Sequence, residues 1–265
     1  MYSISGFVVG MLVGVTGVGG GSLMTPLLVF MFGFQPAVAV GTDLLYAAIT
    51  KTGGVFVHHG THQSVDWKIV GWLSLGSLPM ALATLMVIRH YQAVGTEITS
   101  VITYSLGIAL ILTSVALLTR AVLFRNAAAV VDNKLLHYRD AARFSAPWDL
   151  PATVFTGAVL GVLVTLSSVG AGALGTVALL FLYPKLSTLK VVGTDLAHAI
   201  PLTAIAGIGH WTLGHVNFVL LGSLLLGSLP GIWVGSHLSA KIPEKFLRPF
   251  LATILMLIGL KFVLQ

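Results

Sequence analysis

The chain has 265 residues, 56% of them hydrophobic and 8% charged, with a formal net charge of +6. A soluble domain carries about 25% charged residues, so this chain lacks the polar surface of a soluble globular protein, and that class is set aside. The absence of cysteine removes disulfides, thiolate metal sites and a cysteine nucleophile together. Most of the basic residues lie in loops beside apolar segments, where they act as topology signals rather than a nucleic-acid footprint.

Eight hydrophobic segments are predicted, over 3–33, 36–58, 67–89, 97–123, 149–183, 187–211, 216–239 and 245–264, each near or above the ~20 residues that span a hydrocarbon core. The first does not read as a signal peptide, because it lacks a basic n-region and its apolar stretch continues past Gly19 to Phe32. As one straight helix it would run about 45 Å at ~1.5 Å per residue, against ~30 Å of hydrocarbon. Near its middle stands Thr16-Gly17-Val18-Gly19-Gly20-Gly21-Ser22. A glycine inside a helix costs ~1 kcal/mol relative to alanine, so this segment is read as two half-helices meeting at an irregular loop, either straight through or folded back as a re-entrant hairpin. The second segment carries Gly41-Thr42-Asp43-Leu44 near its start, Lys51 in its middle and His58 at its end. The third holds Gly76-Ser77-Leu78-Pro79, where proline removes a helix hydrogen bond and tends to kink the helix. The polar stretch 124–148 follows the fourth segment and reads as a solvated linker or an interfacial amphipathic piece.

The second half of the chain repeats this order. Ser167-Ser168-Val169-Gly170-Ala171-Gly172 answers to the glycine run of the first half at an offset of 151 residues. Gly193-Thr194-Asp195-Leu196 answers to Gly41-Thr42-Asp43-Leu44 at 152, and Gly227-Ser228-Leu229-Pro230 to Gly76-Ser77-Leu78-Pro79 at 151. Three motifs in one order at nearly one spacing predict an all-α polytopic membrane protein of two repeats, each of four segments: 1–123, a linker over 124–148, and 149–265. If the glycine-broken segments are re-entrant, Lys68, the basic residues of 120–143, Lys185, Lys190 and the basic residues of 241–248 share one face, opposite Arg89 and Lys261. That bias favours hairpins, a cytoplasmic linker and inverted repeats.

Four features can carry chemistry. At each glycine-rich break a half-helix starts inside the membrane, with unpartnered N–H groups and a partial positive charge suited to an anion. Thr16, Ser22, Thr25, Ser167 and Thr176 can add hydroxyls; the plainer reading is close helix packing through small residues. Asp43 and Asp195 are either interfacial carboxylates near a helix start or residues that couple a proton or cation. Lys51 is too far along a straight helix to pair with Asp43, so it either snorkels or faces the bundle interior. Its counterpart is Thr203, which leaves one unmatched positive charge. His198 lies three residues beyond Asp195, and His58 matches His210 at 152. Either can shuttle protons, although a histidine at a segment end is more often an interfacial polar residue. His58, His59 and His62 are a loose cluster without a close carboxylate, so no metal site is expected.

These residues resemble the TauE/SafE sulfite exporter family, also called the toluene sulfonate uptake permeases. The likeness rests on Gly14-Val15-Thr16-Gly17-Val18-Gly19-Gly20-Gly21-Ser22 with Thr25-Pro26-Leu27-Leu28, on the repeated Gly-Thr-Asp-Leu, on Val65-Asp66-Trp67 and on the duplication itself. The resemblance implies transport of sulfite, a sulfonate, sulfoacetate or thiosulfate, driven by the proton gradient. The second copy departs from the pattern, with Ser168 for Gly17 and Ala171 for Gly20.

The expected function is therefore a secondary carrier for a small oxyanion in the cell inner membrane, without cofactor and without a nucleic-acid partner. Thr16, Gly17, Gly19, Gly20, Gly21, Ser22, Lys51, Ser167, Ser168, Gly170, Ala171 and Gly172 are expected around substrate, with Asp43, Asp195 and His198 coupling protons. A passive anion channel is the nearest alternative. A membrane-embedded enzyme would need a nucleophile and base drawn from residues such as Ser167, Ser168 and His198.

Overall fold

The computed structural model describes residues 2–16, 21–62, 65–95, 98–131, 149–239 and 244–264, with the side chains of most of them. They form helices α1 (Tyr2–Thr16), α2 (Gly21–Phe32), α3 (Pro36–His62), α4 (Trp67–Ala93), α5 (Thr99–Val131), α6 (Asp149–Ser167), α7 (Ala173–Leu182), α8 (Thr188–Thr212), α9 (Phe218–Ser239) and α10 (Glu244–Leu264). No strand occurs among the described residues. Among the described residues five helices, within α4, α5, α6, α8 and α9, are long and apolar enough to cross a membrane.

Both long glycine-containing segments are divided as their composition predicts. α1 ends at Thr16 and α2 begins at Gly21. In the second half the interruption is fully described: Ser168, Gly170 and Gly172 have φ of 58°, 113° and 133°. Three left-handed residues in five cannot continue a right-handed helix. Pro79 and Pro230, by contrast, lie inside α4 and α9, which run on past them. α5 continues to Val131, so the region expected to begin a linker after residue 123 is helical at its start.

The helix directions follow from close backbone contacts. Gly6 backs onto Leu224 and Gly10 onto Ser228, so α1 and α9 run parallel. Gly157 backs onto Leu73 and Gly161 onto Ser77, so α6 and α4 also run parallel. A methyl group at Gly10 or Gly161 would fall on the serine main chain opposite, which is how small residues let membrane helices approach. Asp66 meets Thr194 and Ser77 meets His198, which sets α4 parallel to α8. Asn217 meets Thr42 and Ser228 meets Tyr46, which sets α9 parallel to α3. Gly41 lies against His210 and His215 while Gly207 lies against Leu45, so α3 and α8 are antiparallel.

Two consequences position the site. α1 and α3 point the same way, yet α2 between them runs antiparallel beside α3 across the short loop 33–35, so α1 and α2 point in opposite directions. α6, α7 and α8 repeat this reversal in the opposite direction. The buried core is shared between the halves: Val9, Met24, Tyr46 and Leu224 cluster on one side, and Leu44, Ala81, Val164 and Leu202 on the other. Large apolar side chains such as Phe155, Met86, Val219 and Leu226 are 70–78% exposed. Water would penalise such a surface, whereas hydrocarbon does not.

Candidate functional site

The short α2 and α7 each return a threonine to the acidic residue of the following helix. Thr25 Oγ1 donates to Asp43 Oδ2 at 2.5 Å. Thr176 Oγ1 stands 2.9 Å from Asp195 Oδ2 and also reaches the Gly172 carbonyl. Asp43 is 0% and Asp195 2% exposed. They are interior carboxylates held by hydroxyls, not groups solvated at a helix start. The adjoining threonines bond elsewhere. Thr42 Oγ1 accepts the Asn217 N–H at 3.1 Å, and Thr194 Oγ1 accepts the Asp66 N–H at 2.9 Å. Each Gly-Thr-Asp motif thus ties one half to a loop of the other.

Lys51 is buried and donates from Nζ to the Ala171 carbonyl at 2.7 Å. It does not snorkel. It crosses from α3 to the interruption of the other half, where Asp195 and then Asp43 are the charges that act on it. Ser168 is buried beside Asp43, and its hydroxyl faces the carboxylate without closing a hydrogen bond. Ser167 Oγ donates to the Leu163 carbonyl at 2.6 Å and accepts the Val169 N–H at 3.1 Å, locking the turn. Gly172 precedes α7 with no side-chain cap bond. The N–H groups of Leu174 and Gly175 both turn to the Gly170 carbonyl, at 3.1 and 3.3 Å, so two of the α7 amides expected to face a ligand are used within the chain.

His198 is buried with Nε2 2.8 Å from Ser77 Oγ. Tyr46 and Ser228 stand at the matching positions of the other half, with the hydroxyls facing but not bonded. Of the residues the enzyme alternative drew on, Ser167 serves the local backbone and His198 pairs with Ser77. Thr16 closes α1, and Gly21 and Ser22 open α2. Gly17, Gly19 and Gly20 lie outside the described residues, as do the side chains of Thr16, Ser22, His58, His59 and His62.

A second polar chain was not foreseen as a unit. His210 Nε2 lies 2.9 Å from the Thr165 carbonyl, His210 Nδ1 lies 3.2 Å from His215 Nδ1, and His215 Nε2 lies 2.9 Å from Gln92 Nε2. A carbonyl only accepts, so His210 carries its hydrogen on Nε2. Neutral His210 then accepts at Nδ1, His215 donates from Nδ1, and Gln92 donates to His215. His210 is therefore not an interfacial group: it is 0% exposed. Burial holds His215, in the loop after α8, below the usual histidine range. Trp67, at the start of α4, and Trp211, near the end of α8, are 60% and 54% exposed. Among the described residues no group of three or more His, Asp or Glu could hold a metal ion.

The model of the family described as "Sulfite exporter TauE/SafE" matches residues 2–262. The chain is similar to "Probable membrane transporter protein YjnA" of Bacillus subtilis (strain 168), with 36% identity over 267 residues and 98% of each chain covered. It is also similar to "Probable membrane transporter protein YdhB" of the same organism, at 27% over 95% of this chain and 97% of the relative. A third relative is "Probable membrane transporter protein MJ0441" of Methanocaldococcus jannaschii, at 26% over 97% of this chain and 92% of the relative. No solved structure matches the chain.

Proposed function

Because this chain belongs to the TauE/SafE sulfite exporter family, we propose that it is a secondary carrier of a small sulfur-containing oxyanion, such as sulfite, a sulfonate, sulfoacetate or thiosulfate, coupled to protons in the cell inner membrane. That it is a multi-pass membrane transporter follows from the family and the apolar helices; substrate and coupling are the proposal. The observation that carries it is Lys51, a buried cation bonded to the interrupted backbone of the other half, with two buried carboxylates around it. Intramembrane ionisable groups are costly and mark ion pathways.

The charge arithmetic supplies a coupling mechanism. With both carboxylates ionised, the cluster of Asp43, Asp195 and Lys51 carries one net negative charge and repels an anion. At an effective dielectric of about 20, a carboxylate ~6 Å away disfavours an anion by about 3 kcal/mol, roughly 100-fold in affinity. Adding one proton removes that penalty, so anion and proton bind together. The reversed directions of α1–α3 and α6–α8 support inverted repeats with a re-entrant hairpin entering from each face, and the bias of basic residues to one side favours a cytoplasmic linker.

Reconstitution in liposomes tests the reading. We expect thiosulfate or sulfite to accumulate under an inward proton gradient, and a protonophore to abolish the accumulation. Flux without accumulation indicates a channel. Robust cation flux with no movement of any sulfur oxyanion removes the proposal.

A further inference from the structure

We propose that the Asp43 carboxyl and the Ser168 hydroxyl form one proton site bridging the two halves, with Ser168 as its positioning residue. The inference deepens the proton-coupled reading and rests on it for its role in transport, but the site can be detected without any flux.

Asp43 Oδ1 and Ser168 Oγ are both buried, both lack a hydrogen-bond partner, and belong to residues that face each other. Thr25 already serves the other carboxylate oxygen. Two unpaired polar atoms on facing residues in a buried site need an explanation. The gap between them closes with a single hydrogen in either charge state: Ser168 donates to the ionised carboxylate, or the protonated carboxyl donates to Ser168 Oγ. Two unpaired oxygens fall short of the six or so ligands that hard metal cations take, which favours a proton as the occupant.

The backbone points the same way. Ser168 is the non-glycine residue with positive φ, 58°, among the described residues. The matching position of the first half is Gly17, a residue that adopts this conformation without a Cβ penalty. The second half thus keeps a hydroxyl at a position where glycine would be unstrained, as is typical of strained residues at functional sites. Both carboxylates act on Lys51. Asp43 is the one in reach of Ser168. Three residues further on, the Ala171 carbonyl accepts the Lys51 ammonium, so any shift of this turn with the charge on Asp43 is felt at Lys51.

The experiment is infrared difference spectroscopy on the purified full chain in liposomes, without substrate, as pH is stepped. A protonated-carboxyl band should appear that Asp43→Asn removes. Ser168→Gly and Ser168→Ala should both move that band, in the same direction, because both lose the hydroxyl. Ser168→Gly should fold and unfold at a higher temperature than Ser168→Ala, because only glycine relieves the positive φ. A band unchanged in both Ser168 variants, a band removed by Asp195→Asn instead, or a band that requires sodium overturns the site. A band behaving as expected in a protein that moves no sulfur oxyanion keeps the site and removes the transport reading.

Discussion

Asp43 and Asp195 occupy copies of one tetrapeptide, and the fold treats them alike as far as scaffolding reaches. Each faces a threonine on the preceding short helix, Thr25 or Thr176, and each follows a threonine that holds a loop of the other half. Beyond that frame the surroundings diverge. Lys51 on α3 corresponds to Thr203 on α8, where the hydroxyl is spent on the Ala199 carbonyl. Tyr46 corresponds to His198, and Gly17 to Ser168. Packing positions are kept in both halves because the same helix pairs must approach equally closely: Gly10 on Ser228 has its counterpart in Gly161 on Ser77. Ionisable positions differ because one lysine serves both carboxylates, which leaves the cluster one negative charge in excess when both are ionised.

The largest break in the comparison should come from Lys51→Met. Removing one member of a buried charge set costs about 3–5 kcal/mol, so the variant should unfold at a much lower temperature in detergent and carry no anion. Adding Asp195→Asn should restore much of the thermal stability without restoring flux. Recovery of transport in the double variant would show that the lysine only balances charge. The shared frame predicts a smaller and symmetric effect. Thr25→Val and Thr176→Val should each destabilise by about 1–3 kcal/mol, the cost of leaving a buried acceptor unserved, and by similar amounts in thermal unfolding. A large inequality would mean that the matching threonines hold their carboxylates differently.

The smallest effect concerns a feature of one half only. His215 has Gln63 at the matching position. Burial lowers the His215 pKa in the folded protein, so the unfolded chain binds a proton first as pH falls through about 6.5. This contribution to stability is present above that value and is lost as pH falls toward the folded value. His215→Gln should flatten that part of a curve of melting temperature against pH. An unchanged slope would assign the pH dependence to another group.

Much of the site was legible as residues and little of it as contacts. The glycine runs announced the helix interruptions because backbone propensity is local. Asp43, Asp195, Lys51, Ser168 and His198 stood out because polar groups are rare in apolar segments. Thr25 and Thr176 read from sequence as hydroxyls for the substrate, whereas the structure turns them onto the carboxylates. His210 read as a segment-end residue, yet the loop after α8 folds back over it. The correspondence of Tyr46 with His198 could have been found by carrying the 152 offset to every polar position instead of to the motifs alone.

Sequence by itself determined the solvent this protein lives in, the points where its long segments break and the order in which its motifs recur, because hydropathy, glycine content and spacing act over a few residues or are counted along the chain. Only the tertiary structure decided that α1 lies parallel to α9, that Lys51 ends on Ala171 and that Ser168 faces Asp43. Those partners are more than a hundred residues apart, and the close packing of two reversed halves is what brings them together.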